Sequence, residues 1–488
     1  MNRQIRRVAA ACIVSLVVLI VNVSYYQVVA AERLANDPRN RRMLVKEYSI
    51  QRGQVIAGDR KTVLAESVPT KDRLKFLRRY PQGELYGAIT GYYSFIYGSG
   101  GIEAASNSFL TGKAPEQFTR SLADLLTGRE QTGDTLILTI DPKLQQAAAS
   151  ALGTQKGAIV ALDPKTGAVL ALVSYPRYDP NSLAAHDQTA QHEAWNKLNA
   201  DPDKPMLDRA TRETYPPGST FKLVTAAAAL RDGIGPEIQR PNERTYTPPQ
   251  TDKAIHNFGN TACMGGRATL NMAQALQVSC NTWFAHLGVD LGAEKLISQS
   301  ERFGLNSSLG LEIPTATSRI PSFLDPAHTA QSAIGQYNDQ VTPLQMAVIA
   351  ASIANGGVRM RPYLVGEVQD YTGKPIKTFR PSIAGTALEP DQAQALRDMM
   401  TKVVSQGTGS AARIEGFNVA GKTGTAQRAE GQAPHAWFVA FAPAEDPAIA
   451  LAVLVEGGGD AGDEATGGRV AAPLARQVLE AFRAKVKP

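Results

Sequence analysis

The sequence predicts an α/β (α+β) protein with a membrane-inserted N-terminus. Three observations lead there. The first 31 residues carry an apolar run of membrane length behind arginines. Strand-like runs near residue 157 and beyond residue 418 flank a helix-rich middle, roughly 219 to 355. Strands at both ends with helices between imply one sheet assembled from distant segments and covered by helices.

At the N-terminus, Arg3, Arg6 and Arg7 precede an almost unbroken apolar run, Val8 to Val21, and a weaker stretch to Ala30. Together these approach the ~20 residues that span a bilayer. The arginines belong in the cytoplasm, and Tyr25 and Tyr26 suit the far interface. The expected division is a tail at 1–7 and an uncleaved anchor at 8–31. Val28-x-Ala30 offers a signal-peptide cleavage site instead, but the segment is long for a signal peptide. Either reading exports the remaining chain.

The bulk is globular: 43% hydrophobic and 20% charged residues, with 51 basic against 45 acidic side chains. No Lys/Arg block resembles a nucleic-acid footprint, so no nucleic-acid partner is expected. Cys12 lies in the apolar segment, which leaves Cys263 and Cys280. In an exported chain these can pair across 280 − 263 = 17 residues. Two separate buried thiols are the alternative.

Residues 32–152 read as a polar, partly extended pedestal. "EYSIQRGQVIAGDRKTVLAES" suggests strand, turn, strand around Gly58-Asp59, and "TGDTLILTI" another strand. "DPKLQQAAASAL" opens a helix with Asp141 as cap and Pro142 in the first turn. From 153 to 488 a second domain follows. "GAIVALDPKTGAVLALVS" is two strands around a turn. "NVAGKTGTAQ", "AWFVAFAP" and "AIALAVLVEGG" are three more, and "AAPLARQVLEAFRAKV" is an amphipathic helix. The Gly-rich acidic stretch from Glu456 reads as a solvent loop before that helix, and the final "AKVKP" as a frayed tail.

Three short motifs share this second domain. In "YPPGSTFKLVTAAAAL", Pro216-Pro217-Gly218 breaks the chain and Ser219 opens a helical run. Ser219 and Lys222 are three apart, on one face of the first turn. A serine hydroxyl needs a base, which a lysine of lowered pKa supplies. Free N–H groups at the helix start suit an oxyanion. Alone, S-x-x-K is common and usually only a cap with a solvated lysine. Ser279-Cys280-Asn281 places a hydroxyl and an amide two residues apart, able to face one cleft or merely to cap a helix. "GFNVAGKTGT" reads two ways: G-x-x-x-x-G-K-[ST], a phosphate loop, or K-T-G at Lys422, Thr423 and Gly424. A phosphate loop must open a helix, and the following "GTAQRAEGQAPHAW" cannot form one. The K-T-G reading makes a strand whose Lys422 and Thr423 can bind a carboxylate.

The motifs occur in order, spaced 279 − 219 = 60 and 422 − 279 = 143. With "QRGQVIAGDRKTVLAES", "YPQGELYGAITGYYSFIYGSGGIE", "GAIVALDPKTGAVLALVSYPRYDPN" and "IGQYNDQVTPLQMAVIAASIANGG", nearly the whole chain resembles a class B penicillin-binding protein, closest to the actinobacterial type A. One departure is Gly335-Gln336-Tyr337, where many relatives carry a second glycine.

The resemblance implies a penicillin-binding/β-lactamase-like domain, an antiparallel sheet flanked by helices plus an all-helical subdomain, on a mostly β, dimerisation-type pedestal. It implies a peptidoglycan D,D-transpeptidase at the cell membrane with its catalytic domain outside. Ser219 would attack the penultimate D-Ala of a D-Ala-D-Ala stem peptide, with Lys222 as base. Ser219 and Thr425 N–H groups would form the oxyanion hole. Ser279 would relay a proton and Asn281 orient substrate. Lys422, Thr423, Gly424 and Thr425 would hold the terminal carboxylate. β-Lactams would trap Ser219. No cofactor or metal is implied. The implied partner is a lipid-linked glycan polymerase of the shape-elongation-division-sporulation type.

Two alternatives remain. A β-lactamase needs a deacylating Glu in E-x-x-L-N, and Glu312 in "GLEIP" lacks that context. A β-lactam sensor or scaffold needs a cytoplasmic effector, and about seven residues before the anchor cannot fold into one.

Overall fold

The computed structural model describes residues 2–30, 45, 47–117 and 130–486. The start of the pedestal segment (32–44) and the last two residues of the expected tail lie outside them. The N-terminal run forms an α-helix, Asn2–Ser24, that continues as a π-helical turn, Tyr25–Val29. Arg3–Val29 is long and apolar enough to cross a membrane, and its large apolar side chains are exposed. A polar-faced soluble helix would hide them.

Asp141 caps the helix α1 (Pro142–Leu152) as expected, its carboxylate accepting from Leu144 N. The central sheet then draws on both ends of the second domain. Its strands are β1 (Gly157–Leu162), β2 (Val169–Tyr175), β3 (Ala420–Ala426), β4 (His435–Ala442) and β5 (Ile449–Val455). They lie in the order β3-β4-β5-β1-β2, antiparallel throughout.

Helices cover both faces, which is why β1, β2, β4 and β5 are largely continuous apolar runs rather than alternating ones. The pleat still sorts the side chains. Val160, Val439, Phe441, Ala452 and Leu454 point into one core. It also holds α2 (Lys222–Arg231), α3 (Asn281–Leu291), α4 (Pro343–Ala354) and α5 (Pro390–Gln406). Ile159, Phe438, Leu451 and Val453 point into the other, against α1 and the last helix α6 (Ala472–Val486). At roughly 1.5–3 kcal/mol per fully buried large side chain, these two cores dominate the domain's cohesion.

The pedestal is a six-stranded sheet. Strands Thr135–Leu138, Val55–Ile56, Val63–Pro69 and Phe76–Arg79 come from the segment expected to build it. The other two come from the second domain: Val365–Gln369 pairs along Thr135–Leu138, and Pro375–Thr378 pairs along Val365–Gln369 at the edge. The two domains therefore share a sheet. Behind it, buried Glu103 takes Arg52 and Arg78 on separate oxygens.

Candidate active site

Three segments meet where α2 begins. Pro216-Pro217-Gly218 turns the chain, and Gly218 carries φ +53°. A Cβ there would lie 2.6 Å from Thr425 O, so this turn against β3 requires glycine. Gly218 N also donates to Gly335 O at 2.8 Å. This squeeze tightens Gly218–Phe221 into a 3₁₀ turn, and the α-helix starts only at Lys222. Ser219 thus precedes the α-helix instead of opening it, a correction to the sequence reading. It is half-buried, whereas Lys222 is fully buried. The following alanines of α2 are buried because helices surround them.

Ser279 sits between the helix Met272–Gln277 and α3 with φ +62°, a conformation costly to a non-glycine residue and typical of functional sites. It turns both its oxygens toward lysines. Lys222 Nζ donates to Ser279 O (2.7 Å), Ser279 Oγ (3.3 Å) and Asn281 Oδ1 (2.7 Å). Lys422 Nζ donates to Ser279 Oγ (2.8 Å) and Thr423 O (2.9 Å). Among the described residues, Lys222 has no hydrogen bond to Ser219, the partner its spacing suggested.

Burial, first, and the Lys422 charge, second, hold the Lys222 amine well below its usual range. Burial brings Lys422 down to about 7. For Lys222, desolvation is the larger cause and the neighbouring charge the smaller.

Lys422 to Thr425 lie on β3, paired with β4. Lys422–Thr423 therefore sit within a strand and do not open a helix, which removes the phosphate-loop reading. Thr423 Oγ1 meets Thr408 Oγ1 at 2.6 Å. Gly424 faces the 3₁₀ turn, where a Cβ would come 2.8 Å from Thr220 Cγ2. Thr425 Oγ1 accepts from Gly467 N at 3.4 Å.

Other parts of the site gave no local signal. Asn257 Oδ1 caps α3 from a distant loop, accepting from Asn281 N (2.9 Å) and Thr282 N (3.0 Å). The neighbouring His256 O accepts from Asn281 Nδ2 at 2.9 Å. Cys263 and Cys280 are disulfide-bonded, tying this loop to the Ser279–Asn281 motif. Glu456 turns inward to Arg209 Nε (2.8 Å) and Tyr215 OH, so the Gly-rich loop is anchored at both ends. Glu312 binds Leu364 N (2.9 Å) and Val365 N (3.0 Å) with its two oxygens. It is a strand clamp, occupied in the way a deacylating base is not.

A half-buried hydroxyl beside buried, easily neutralised amines is equipped for serine acyl transfer. That is the class in which the fold and cleft stand. Residues 157–480 match the penicillin binding protein transpeptidase domain, and residues 52–136 the penicillin binding protein A dimerisation domain. The peptidoglycan D,D-transpeptidase PbpA of Mycolicibacterium smegmatis is 44% identical over 99% of both chains. That of Mycobacterium tuberculosis is 42% identical over 99% of both. The ceftriaxone acyl-enzyme of penicillin-binding protein A from M. tuberculosis superposes with a TM-score of 0.85 at 43% identity, covering 90% of this chain and 99% of that one. The chain belongs to the penicillin-binding protein transpeptidase family.

Proposed function

We infer that this chain is a peptidoglycan D,D-transpeptidase, a serine-type acyltransferase inhibited covalently by β-lactams. The observation that carries the mechanism is the Ser279 hydroxyl held between Lys222 and Lys422.

Neutral Lys222 takes the Ser219 proton as Oγ attacks the penultimate D-Ala carbonyl. Backbone N–H groups of Ser219 and Thr425 receive the oxyanion. Ser279 passes a proton to the leaving nitrogen, the C–N bond breaks, and D-Ala departs. Lys422, Thr423, Gly424 and Thr425 hold its carboxylate beforehand, and Asn281 orients the stem peptide. The amine of a second stem peptide then attacks the ester, forming the cross-link and returning the proton to the site. A β-lactam follows the first half of this path, and its opened ring remains on Ser219.

The apolar N-terminal helix supports a single-pass anchor with residues 32–152 as pedestal and 153–488 as catalytic domain, outside the cytoplasm. A lipid-linked glycan polymerase is the partner that would dock the pedestal and anchor.

Labelling with a fluorescent penicillin tests the assignment. A stable adduct in the wild type and none in Ser219→Ala is expected. An adduct that survives Ser219→Ala refutes the nucleophile. One lost within seconds points to a β-lactamase.

A further inference from the structure

Tyr337 holds a backbone conformation that its own side chain resists. Its φ is +67°, in the left-handed region where glycine is at ease and a bulky residue is strained. Such strain persists only where the surroundings over-determine it, and it gathers at functional sites.

Here the surroundings are two attachments to the segment that delivers Ser219. On one side of Tyr337, Gly335 O accepts from Gly218 N at 2.8 Å. On the other, Tyr215 and Val341 exchange two backbone hydrogen bonds of 2.9 Å. Between them, buried Asp339 fastens the loop from inside through Ser332 Oγ at 3.1 Å. A loop that needed only to turn would gain stability from glycine at 337.

The tyrosine instead presents its ring. It is 39% exposed and stacks on His328, with centroids 4.1 Å apart and planes 27° from parallel. His328 is itself set by Asp325, 2.8 Å from its Nδ1. A ring serving the core would be buried. This one is backed by a second ring and open on its outer side, two residues from the glycine that touches Gly218.

We propose that Tyr337, backed by His328, forms a wall of the acyl-donor groove, its ring lying against the amide planes and methyl groups of the donor stem peptide. The inference rests on Ser219 as nucleophile. The ring touches no reacting bond; it holds the peptide before attack.

The test uses the full chain in detergent. Fluorescent-penicillin labelling is competed with a stem pentapeptide ending in D-Ala-D-Ala. In Tyr337→Gly the peptide concentration giving half-protection should rise about five-fold, in line with the loss of one aromatic contact. Tyr337→Phe should restore it. Half-protection is read in each variant against that variant's own labelling without peptide. The melting temperature of Tyr337→Gly should equal or exceed the wild type's. Unchanged protection in Tyr337→Gly, or an equal loss in the Gly and Phe variants, overturns the proposal. So does a fall in melting temperature and labelling together, which would make the ring a packing strut. An adduct that persists in Ser219→Ala would instead sink the nucleophile reading, leaving the two failures distinct.

Discussion

Lys222 and Lys422 converge on one hydroxyl. Ser279 Oγ lies 3.3 Å from the first Nζ and 2.8 Å from the second. Both side chains are fully buried. Two ammonium groups in such a place are a poor arrangement, since each loses its hydration and the charges repel. A single shared proton is a good one. The proposed mechanism divides the pair accordingly, one amine neutral to take the Ser219 proton and the other cationic toward a carboxylate, with Ser279 between them to pass a proton.

This division predicts a pH profile. Lys222 is lowered well below 10.5 by burial and then by Lys422, the direction a general base needs. Lys422, at about 7, loses its charge just above neutrality. The second-order rate of β-lactam acylation reports the free enzyme. It should fall on the alkaline side with a midpoint near 7, as carboxylate binding weakens. In Lys422→Gln that limb should vanish and the remaining rate should be low. The acidic limb should move to higher pH, because one of the influences depressing Lys222 is gone. A wild-type profile flat from about pH 6 to 9 contradicts the assignment. The same depression fixes a sign for stability. Between about 7 and 10.5 the unfolded state binds more protons at Lys422 than the folded state does. Its burial therefore costs stability in full below about pH 7, and that cost is relieved as pH climbs toward 10.5.

The disulfide predicts a coupling between redox state and catalysis. Cys280 lies inside the Ser279–Asn281 motif. Its partner Cys263 lies in a turn that Asn242 clamps, donating to Cys263 O (2.7 Å) and Arg267 O (2.8 Å). The same loop supplies His256 O and Asn257 Oδ1 to Asn281. Closing a 17-residue separation can contribute about 3 kcal/mol to stability. Cys263→Ser should lose up to that amount in urea unfolding. It should also slow penicillin labelling several-fold while the final extent of labelling is unchanged, because Ser219 stays and only Asn281 is loosened. Intact mass after alkylation confirms the redox state. Equal labelling rates in the variant and the wild type would mean that the loop does not position Asn281.

What the chain revealed beforehand follows from the range of each interaction. Asp141 capping α1, the two strands around the Asp163–Gly167 turn, and the β3-β4-β5 run are specified within a dozen neighbouring residues, so they were legible. So was the order of Ser219, Ser279 and Lys422. The 3₁₀ turn at Ser219 was not, because Gly335 and Thr425 impose it at Gly218 from 117 and 207 residues away. Neither was the cap that Asn257 gives α3, nor the pedestal strands taken from 365–378. Sequence pattern carries periodicity and turn chemistry; it does not carry the partner of a loop amide.

The pedestal holds one carboxylate on which much depends. Glu103 is fully buried and binds Arg52 through one oxygen and Arg78 through the other. Burial would raise its pKa, but the two guanidinia outweigh that and keep it below the usual carboxylate range. Arg52 also reaches Asn107 Oδ1 and lies over the Tyr93 ring at 4.2 Å, and Arg78 reaches Gly53 O at 2.8 Å. These contacts join the strand Phe76–Arg79, the chain before Val55 and the helix Gly101–Ala105. Glu103→Gln keeps the shape and removes the charge, leaving two buried guanidinia without a counter-ion. The expected loss is about 3–5 kcal/mol, the usual effect of breaking a buried pair. It should fall on the pedestal: hydrogen exchange should quicken in Val63–Pro69 and Phe76–Arg79 before it does in β4 and β5. Penicillin labelling of Ser219 should persist under conditions where those strands exchange, because Glu103 and its arginines make their contacts within the pedestal and the second core, against α1 and α6, contains no residue of those strands. An unchanged urea midpoint would show that the arginines find water in its place. Loss of labelling in step with strand exchange would show that the two domains unfold as one unit through the sheet they share.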